Sequence, residues 1–242
     1  MVHTLPDYTS KWKNRTISSL VDNGELAARL GSIVTYDRRG NVVWMDDFEH
    51  SANKWSLLGA GTGNNLGISA AASRNGDSSM ELTTGNDGAR LAQMRQILGY
   101  PALSNHGLEF SFTYADELDY LRASFSIYDG ALVHQFWINI DQTNQRVQYY
   151  DDGGNWVNTG ITFEEIHFQP VFTPVKIVAD VINNNYVRLI YGAETFDMAG
   201  IGTLAGIDAS EPQIRILIAA HSNVAKNATV YIDDVIVTQN EV

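Results

Sequence analysis

The sequence contains no cysteine among its 242 residues, which excludes disulfide bonds, thiolate metal ligands and cysteine nucleophiles. It also lacks any apolar run of about 18 residues, the minimum for a membrane-spanning helix. Its first residues contain no continuous apolar stretch of the kind found in a secretion signal. We therefore expect no membrane segment and no export by a signal peptide.

Positive charge is scarce as well, because 16 Lys and Arg against 28 Asp and Glu give a net charge of −12. An acidic surface repels phosphate backbones, so we expect no nucleic-acid partner. The basic residues that stand out lie near the start of the chain, where we interpret residues 1–43 as an extended arm with one short helix at 25–30 and the start of a hairpin. A solvated tail is the alternative to an arm that binds a partner through Lys11, Trp12, Lys13 and Arg15.

Motifs for catalysis and phosphate binding are missing. The glycine-rich stretch at 59–67 has neither the lysine nor the following helix of a phosphate-binding loop. The six histidines show no metal-ligand spacing, and no G-x-S-x-G motif is present. These absences predict a protein that is not an enzyme.

What the sequence does contain is alternation of apolar and polar residues, clearest at 174–199. There Val175, Ile177 and Ala179 share one face of a strand, and the asparagines at 183–185 favour a tight turn into a return strand. About a dozen such segments follow one another between Asn, Asp and Gly turns, with almost no helical periodicity. We predict an all-β fold, an antiparallel two-sheet jelly-roll β-sandwich over residues 44–242.

Three segments give this region a family resemblance: DDFE at 46–49 followed by Trp55, the turn-rich stretch at 176–198, and YIDDV at 231–235. Together they resemble the concanavalin A-like lectin/glucanase sandwiches and the jelly-roll carbohydrate-binding modules. The resemblance implies adjacent first and last strands whose acidic residues hold a structural calcium. The matching positions are Asp46, Asp47, Glu49, Asp233 and Asp234. The alternative is that these carboxylates lie in solvent on both faces of the sheet.

Laminarinase-type glycosidases of this fold carry Glu-x-Asp-x-x-Glu on one strand. The nearest match in this sequence is the segment 117–122, where Arg122 replaces the second glutamate. The partner carboxylate of a two-carboxylate mechanism is therefore missing, and Asp119 suits a turn before a strand. This mismatch supports the prediction that the protein is not an enzyme.

Aromatic residues cluster in adjacent predicted strands, and flat rings of this kind stack on sugars. We predict a ligand-binding face formed by Trp137, Tyr149, Tyr150 and Trp156, with Asn139, Asp141 and Gln148 as polar neighbours. Successive residues of a strand point to opposite faces, so at least two of the four aromatics lie outside and the others belong to the core. The outward rings serve either glycan binding or a protein interface.

Taken together, the arm, the sandwich and the absence of catalytic motifs predict a non-enzymatic structural protein of a virus particle, such as a phage capsid decoration, cement or tail-associated subunit. It would dock onto capsid or tail proteins through its arm and form a homo-oligomer, for which we expect a trimer. The alternative is a carbohydrate-binding module or lectin, extracellular or on a cell surface, that binds a glycan through its exposed aromatics.

Overall fold

The computed structural model describes residues 39–99, 102–115, 118–164, 171–223 and 225–242. Within these ranges the chain forms sixteen β-strands and one short 3-10 helix at Ala52–Lys54. No helix in these ranges is long and apolar enough to cross a membrane. The predicted short helix and the arm residues Lys11, Trp12, Lys13 and Arg15 lie outside the described residues.

One sheet, sheet A, has eight antiparallel strands. Seven follow one another in the order β13 (Glu194–Asp197), β12 (Asn185–Tyr191), β11 (Thr173–Asp180), β6 (Asn105–Tyr114), β16 (Thr229–Gln239), β4 (Ser79–Thr83) and β3 (Asn65–Ser69). The eighth, β1 (Asn41–Asp46), pairs with the C-terminal part of β16. The first and last described strands are therefore adjacent, as the family resemblance implied.

The other sheet, sheet B, also has eight strands. Its order is β10 (Trp156–Thr162), β9 (Arg146–Tyr150), β8 (Leu132–Asp141), β7 (Tyr120–Tyr128), β15 (Gln213–His221), β5 (Leu91–Gly99) and β2 (Ser56–Ala60). The short strand β14 (Leu204–Ile207) pairs with the beginning of β8. The prediction of an all-β, antiparallel, two-sheet sandwich is confirmed.

The core lies between the two sheets and is built from alternate residues of each strand. Sheet A contributes rings such as Phe110 and Phe112, and sheet B contributes Phe125 and Phe136, all at most 2% exposed. The predicted three-stranded segment is also present as β11, β12 and β13, with Asn184 at a φ of 54° in its first turn. The residues between these core positions point away from the opposite sheet and form the two outer faces.

The outer face of sheet A carries a fully buried lysine. Lys176 Nζ lies 3.1 Å from Glu109 Oε1 and 2.8 Å from Glu241 Oε1. Arg188 Nη2 lies 2.7 Å from the other oxygen of Glu241, and Arg188 Nη1 donates to Val242 O at 2.7 Å. These cations are compensated by carboxylates, and the network fixes the C-terminal residues onto the sheet.

A tyrosine of sheet A completes the backbone hydrogen bonding of sheet B. Strand β9 pairs with β8 from Ile138 onward and β14 pairs with it up to Gln135, so Trp137 falls in the gap between them. The buried hydroxyl of Tyr186 fills this gap: it accepts the N–H of Trp137 at 2.9 Å and lies 2.9 Å from Tyr150 O and 3.1 Å from Trp137 O. Burial raises the pKa of Tyr186 to about 12, so the hydroxyl stays protonated and can donate.

We predict that Tyr186→Phe lowers the free energy of unfolding by about 1–3 kcal/mol, because the N–H of Trp137 loses its acceptor in a buried position. Urea unfolding followed by tryptophan fluorescence measures the change. The control is Tyr191→Phe, since the Tyr191 hydroxyl has no hydrogen bond in the described part of the chain. Equal stability of the two variants would contradict the bridging role of Tyr186.

Candidate functional site

The strand register aligns polar side chains in a row across the outer face of sheet B. Each member of this row lies directly opposite the next on the neighbouring strand. Because Cα partners in register share one face of the sheet, the row is continuous from β10 to β5. This polar row consists of Asn158, Gln148, Asn139, Arg122 and Gln93, with the apolar Ala219 between the last two.

An aromatic row runs beside the polar row. Trp156 pairs with Tyr150, and their ring centroids are 5.0 Å apart, while Tyr150 lies 5.9 Å from the ring of Trp137. All three are half-buried and lie on the outer face. The fourth predicted ring, Tyr149, points into the core instead, where it contacts Tyr186 edge to face at 5.8 Å. The structure therefore brings together three of the four predicted aromatics, and the period of the strand separates the fourth from them.

Arg122 lies where the two rows meet. Its Cζ is 4.7 Å from the ring centroid of Tyr120, 4.7 Å from that of Trp156 and 5.9 Å from that of Trp137. These are cation–π distances. Burial lowers the pKa of Arg122, and no carboxylate of the described residues forms an ion pair with it. A half-buried cation held between aromatic rings without a counter-ion is an unusual arrangement for a purely structural residue.

Several buried polar atoms around Arg122 have no hydrogen-bond partner among the described residues. They are Arg122 Nε, Trp137 Nε1 and Asn139 Oδ1. The amide nitrogen of Asn139 donates to Gln148 Oε1 at 3.1 Å, which fixes the orientation of the two amides. Buried polar groups are normally satisfied by protein or by ordered water, so neighbouring unpaired ones mark a place where water or a ligand group completes the hydrogen bonding.

A histidine and a tyrosine border the polar row on its other side. His221 pairs with Tyr120 across β15 and β7, and their rings stack at 4.5 Å with an interplanar angle of 22°. Burial and the charge of Arg122 lower the pKa of His221 to about 4, against the opposing charge of Asp119. The imidazole is therefore neutral at pH 7 and can accept a proton.

The sequence did not indicate a role for His221, because its pairing with Tyr120 joins two strands about a hundred residues apart in the chain. A histidine at the end of a strand has no local signal. Only the register of β7 against β15 brings it to Tyr120 and Arg122.

The residues predicted to bind calcium accept hydrogen bonds from other groups of the protein. Asp46 accepts hydrogen bonds from Lys54 Nζ and Trp55 Nε1, both at 2.8 Å. Glu49 Oε1 accepts the backbone N–H groups of Asp77 at 2.9 Å and Ser78 at 3.0 Å. The exposed Asp47 accepts only from the backbone N–H of Glu49, at 3.3 Å.

The other two acids sit at an irregularity of β16. Asp233 Oδ2 accepts the N–H of Arg74 at 2.7 Å, and Asp234 Oδ2 accepts from Arg74 Nη1 at 2.8 Å and from Asn75 Nδ2 at 2.5 Å. No cluster of three or more His, Asp or Glu that could hold a metal occurs in the ranges described. Calcium binding by Asp46, Asp47, Glu49, Asp233 and Asp234 stays a prediction.

A cavity of about 290 Å³ lies away from these rows, at one end of the sandwich. Its lining includes Phe112, Tyr114, Gln142, Phe163 and Tyr191. Burial raises the pKa of Tyr191. The cavity shares no residue with the polar or aromatic row, and we place the candidate site on the outer face of sheet B, where unsatisfied polar atoms and exposed rings coincide.

No protein-family model matches the sequence, and no curated protein sequence matches it. Several solved structures are similar to it. An endo-β-1,4-glucuronan lyase from the fungus Trichoderma reesei matches with a TM-score of 0.60 and 14% identity, over 82% of this chain and 95% of that one. A carbohydrate esterase from Shiga toxin-encoding bacteriophage phi24B matches with a TM-score of 0.56 and 13% identity, over 84% and 100%.

A third similar structure comes from work on endo-acting O-glycanases of the human gut microbiota. It has a TM-score of 0.53 and 9% identity, and the match covers 82% of this chain and 99% of that one. These likenesses and the two antiparallel sheets show the fold, a jelly-roll β-sandwich like those of the three structures.

The comparisons also correct one prediction. We expected a protein that is not an enzyme. This prediction is wrong, because two of the similar structures above are a lyase and an esterase, and the third comes from work on glycanases. The prediction rested on the absence of known catalytic motifs and on the missing second glutamate at Arg122. The structure places Arg122 in the centre of the candidate site, so its departure from the glycosidase motif is not evidence of an inert protein.

Asp233 makes the stability of the sandwich depend on pH. Burial and the neighbouring carboxylate of Asp234 raise the pKa of Asp233 to about 7, against the hydrogen bonds from Arg74 and Asn75. Between the ordinary carboxyl pKa of about 4 and pH 7, the folded protein thus keeps a proton that the unfolded chain releases. We predict that stability falls as pH rises through this window and falls less in Asp233→Asn.

Urea unfolding of both proteins at pH 4.5, 5.5 and 6.5, as approximate steps across that window, measures the difference. Asp152→Asn is the control, since Asp152 is exposed. A pH profile of Asp233→Asn that coincides with the unsubstituted profile would show that Asp233 does not hold the proton.

Proposed function

We propose that the protein is carbohydrate-active and binds a polysaccharide chain along the outer face of sheet B. The observation that carries this proposal is the aromatic row of Trp137, Tyr150 and Trp156 beside the polar row. Rings offer apolar faces for stacking on sugar rings, and amides such as Asn139 and Gln148 can pair with sugar hydroxyls. The glycan-related names of the similar structures support the proposal.

The dimensions of the face suit a chain rather than a single sugar. The polar row crosses six strands, from β10 to β5, and five strand spacings of about 4.8 Å give roughly 24 Å. A ligand that follows the row meets aromatic rings at one end and Arg122, Ala219 and Gln93 further along.

We predict that Trp156→Ala lowers the association constant for the bound polysaccharide by at least about tenfold, or about 1.4 kcal/mol. The substitution removes one of the three rings of the aromatic row. It also removes one of the rings that Arg122 contacts. Affinity electrophoresis against a panel of polysaccharides, followed by calorimetry, measures the loss.

The control for that experiment is Ile182→Ala, because Ile182 is 69% exposed and lies in the turn between β11 and β12 of sheet A. It removes exposed apolar surface without touching sheet B. Unchanged affinity in Trp156→Ala would count against the aromatic row as the binding surface.

One specific observation also favours cleavage of the bound chain. The stacked pair His221 and Tyr120 lies beside Arg122, and the neutral imidazole can take a proton while the phenol can supply one. Neither row contains a carboxylate, and Asp141, the predicted polar neighbour that lies opposite Tyr120, is paired with Arg146 Nε at 2.8 Å. The arrangement therefore favours proton exchange by His221 and Tyr120 over a two-carboxylate hydrolysis. We propose His221 and Tyr120 as the groups that exchange protons with the substrate.

We predict that the protein shortens a polysaccharide that it binds and that His221→Gln abolishes the shortening while binding persists. Size-exclusion chromatography of the polysaccharide after incubation measures chain length. His50→Gln is the matched control, because His50 is exposed and far along the chain from β15. Shortening that persists in His221→Gln would remove His221 from the reaction, and intact polysaccharide with the unsubstituted protein would refute cleavage.

The role as a virion subunit stays a prediction. Its supporting observation is that one similar structure is a bacteriophage protein. The arm residues through which such a subunit would dock lie outside the described residues. The trimer that we expect also stays a prediction. A glycan-binding face is compatible with a subunit of a particle that attaches to glycans.

A further inference from the structure

We infer that the polysaccharide on the outer face of sheet B is anionic and that one of its negative groups binds Arg122. The inference rests on the proposed function and specifies its ligand. The shared chemistry is a glycan bearing carboxylates, as in uronic acids, or sulfate esters. Both groups match the planar donor edge of a guanidinium.

The distribution of charge is the first observation. The chain carries a net charge of −12, yet three adjacent strands of sheet B present arginines on the outer face: Arg122 on β7, Arg215 on β15 and Arg95 on β5. None of the three forms an ion pair among the described residues. A cationic centre in an otherwise acidic protein is a local attractor for anionic groups.

The second observation is the state of these arginines. Arg122 Nε and Arg215 Nε are buried without a hydrogen-bond partner in the part of the chain that the structure describes. Each guanidinium is held over a ring, Arg122 over Tyr120 and Trp156, and Arg215 over Tyr128 at 4.8 Å. Ring contacts hold a guanidinium through its face, so an anion can approach the terminal N–H groups in its plane.

Energetics favour a ligand over water at this place. Burial already disfavours the charged form of Arg122 and lowers its pKa. An anion that binds beside Arg122 supplies the compensating charge that the described residues do not provide as an ion pair. A neutral sugar supplies acceptors but no charge, so the anionic ligand gains the larger stabilisation.

The inference has a consequence for His221 that does not require cleavage. His221 lies beside three charged or titratable groups, Arg122, Asp119 and its stacking partner Tyr120. The positive charge of Arg122 is one cause of its lowered pKa. An anion bound to Arg122 offsets that charge, so it raises the pKa of His221, whereas a neutral sugar leaves the charge uncompensated.

The experiment compares three ligands with the full chain by calorimetry: polygalacturonate, dextran sulfate and a neutral mixed-linkage glucan. We expect one or both anionic polymers to bind, with affinity that falls as salt is added. Arg122→Gln lowers that affinity by about tenfold or more. Arg39→Gln, an equal change of charge at an exposed residue outside sheet B, leaves it unchanged. Preference for polygalacturonate identifies carboxylates as the recognised groups, and preference for dextran sulfate identifies sulfates.

A second measurement guards against a variant that folds poorly. The His221 ring resonances of the unsubstituted protein are titrated by NMR with and without galacturonate oligosaccharides or their sulfated counterparts, and we expect the pKa to rise with the anionic ligand. Tight binding of the glucan alone, with no effect of Arg122→Gln, overturns this inference and leaves the proposed function standing. Failure of every polysaccharide to bind overturns both.

Discussion

The candidate site depends on one hydroxyl group that belongs to the opposite sheet. Strand β8 has no strand partner at Trp137 on the side where β14 ends and β9 begins, and Tyr186 supplies the missing acceptor. The same oxygen lies 2.9 Å from Tyr150 O. The backbone positions of two of the three outer rings are therefore set from within the core, so the spacing of the aromatic row is a property of the packed sandwich rather than of flexible surface side chains.

The amount that could be predicted from the sequence follows from how local each signal is. Alternation along a strand separates Tyr149 from Tyr150, because the two-residue period needs no knowledge of the partner strand. The turn at Asn184 is equally local, and so the β11–β13 segment was predicted correctly. Local signals of this kind are sufficient to predict the strands and the aromatic residues of the candidate site.

The remaining features come from pairings between distant segments. Arg122 meets Ala219 and Tyr120 meets His221 only because β7 pairs with β15, with about a hundred residues between them. In the sequence, Arg122 stands out only because it replaces the second glutamate of a glycosidase motif. The error was to treat a missing carboxylate as a missing function, when a cation beside an imidazole and a phenol supports a different chemistry from paired carboxylates.

Both outer faces of the sandwich carry cations with little exposure, and the contrast between them locates the function. On sheet A, Lys176 and Arg188 have Glu109 and Glu241 as partners, so their charges are compensated within the chain. On sheet B, Arg122 has rings beside it and forms no ion pair with a carboxylate within the described ranges, while Arg215 has the ring of Tyr128 beside it and the charge of Asp208 nearby. Compensated charges of the first kind serve the fold. Uncompensated ones lower stability, and their persistence on one face is explained when a ligand supplies the missing charge.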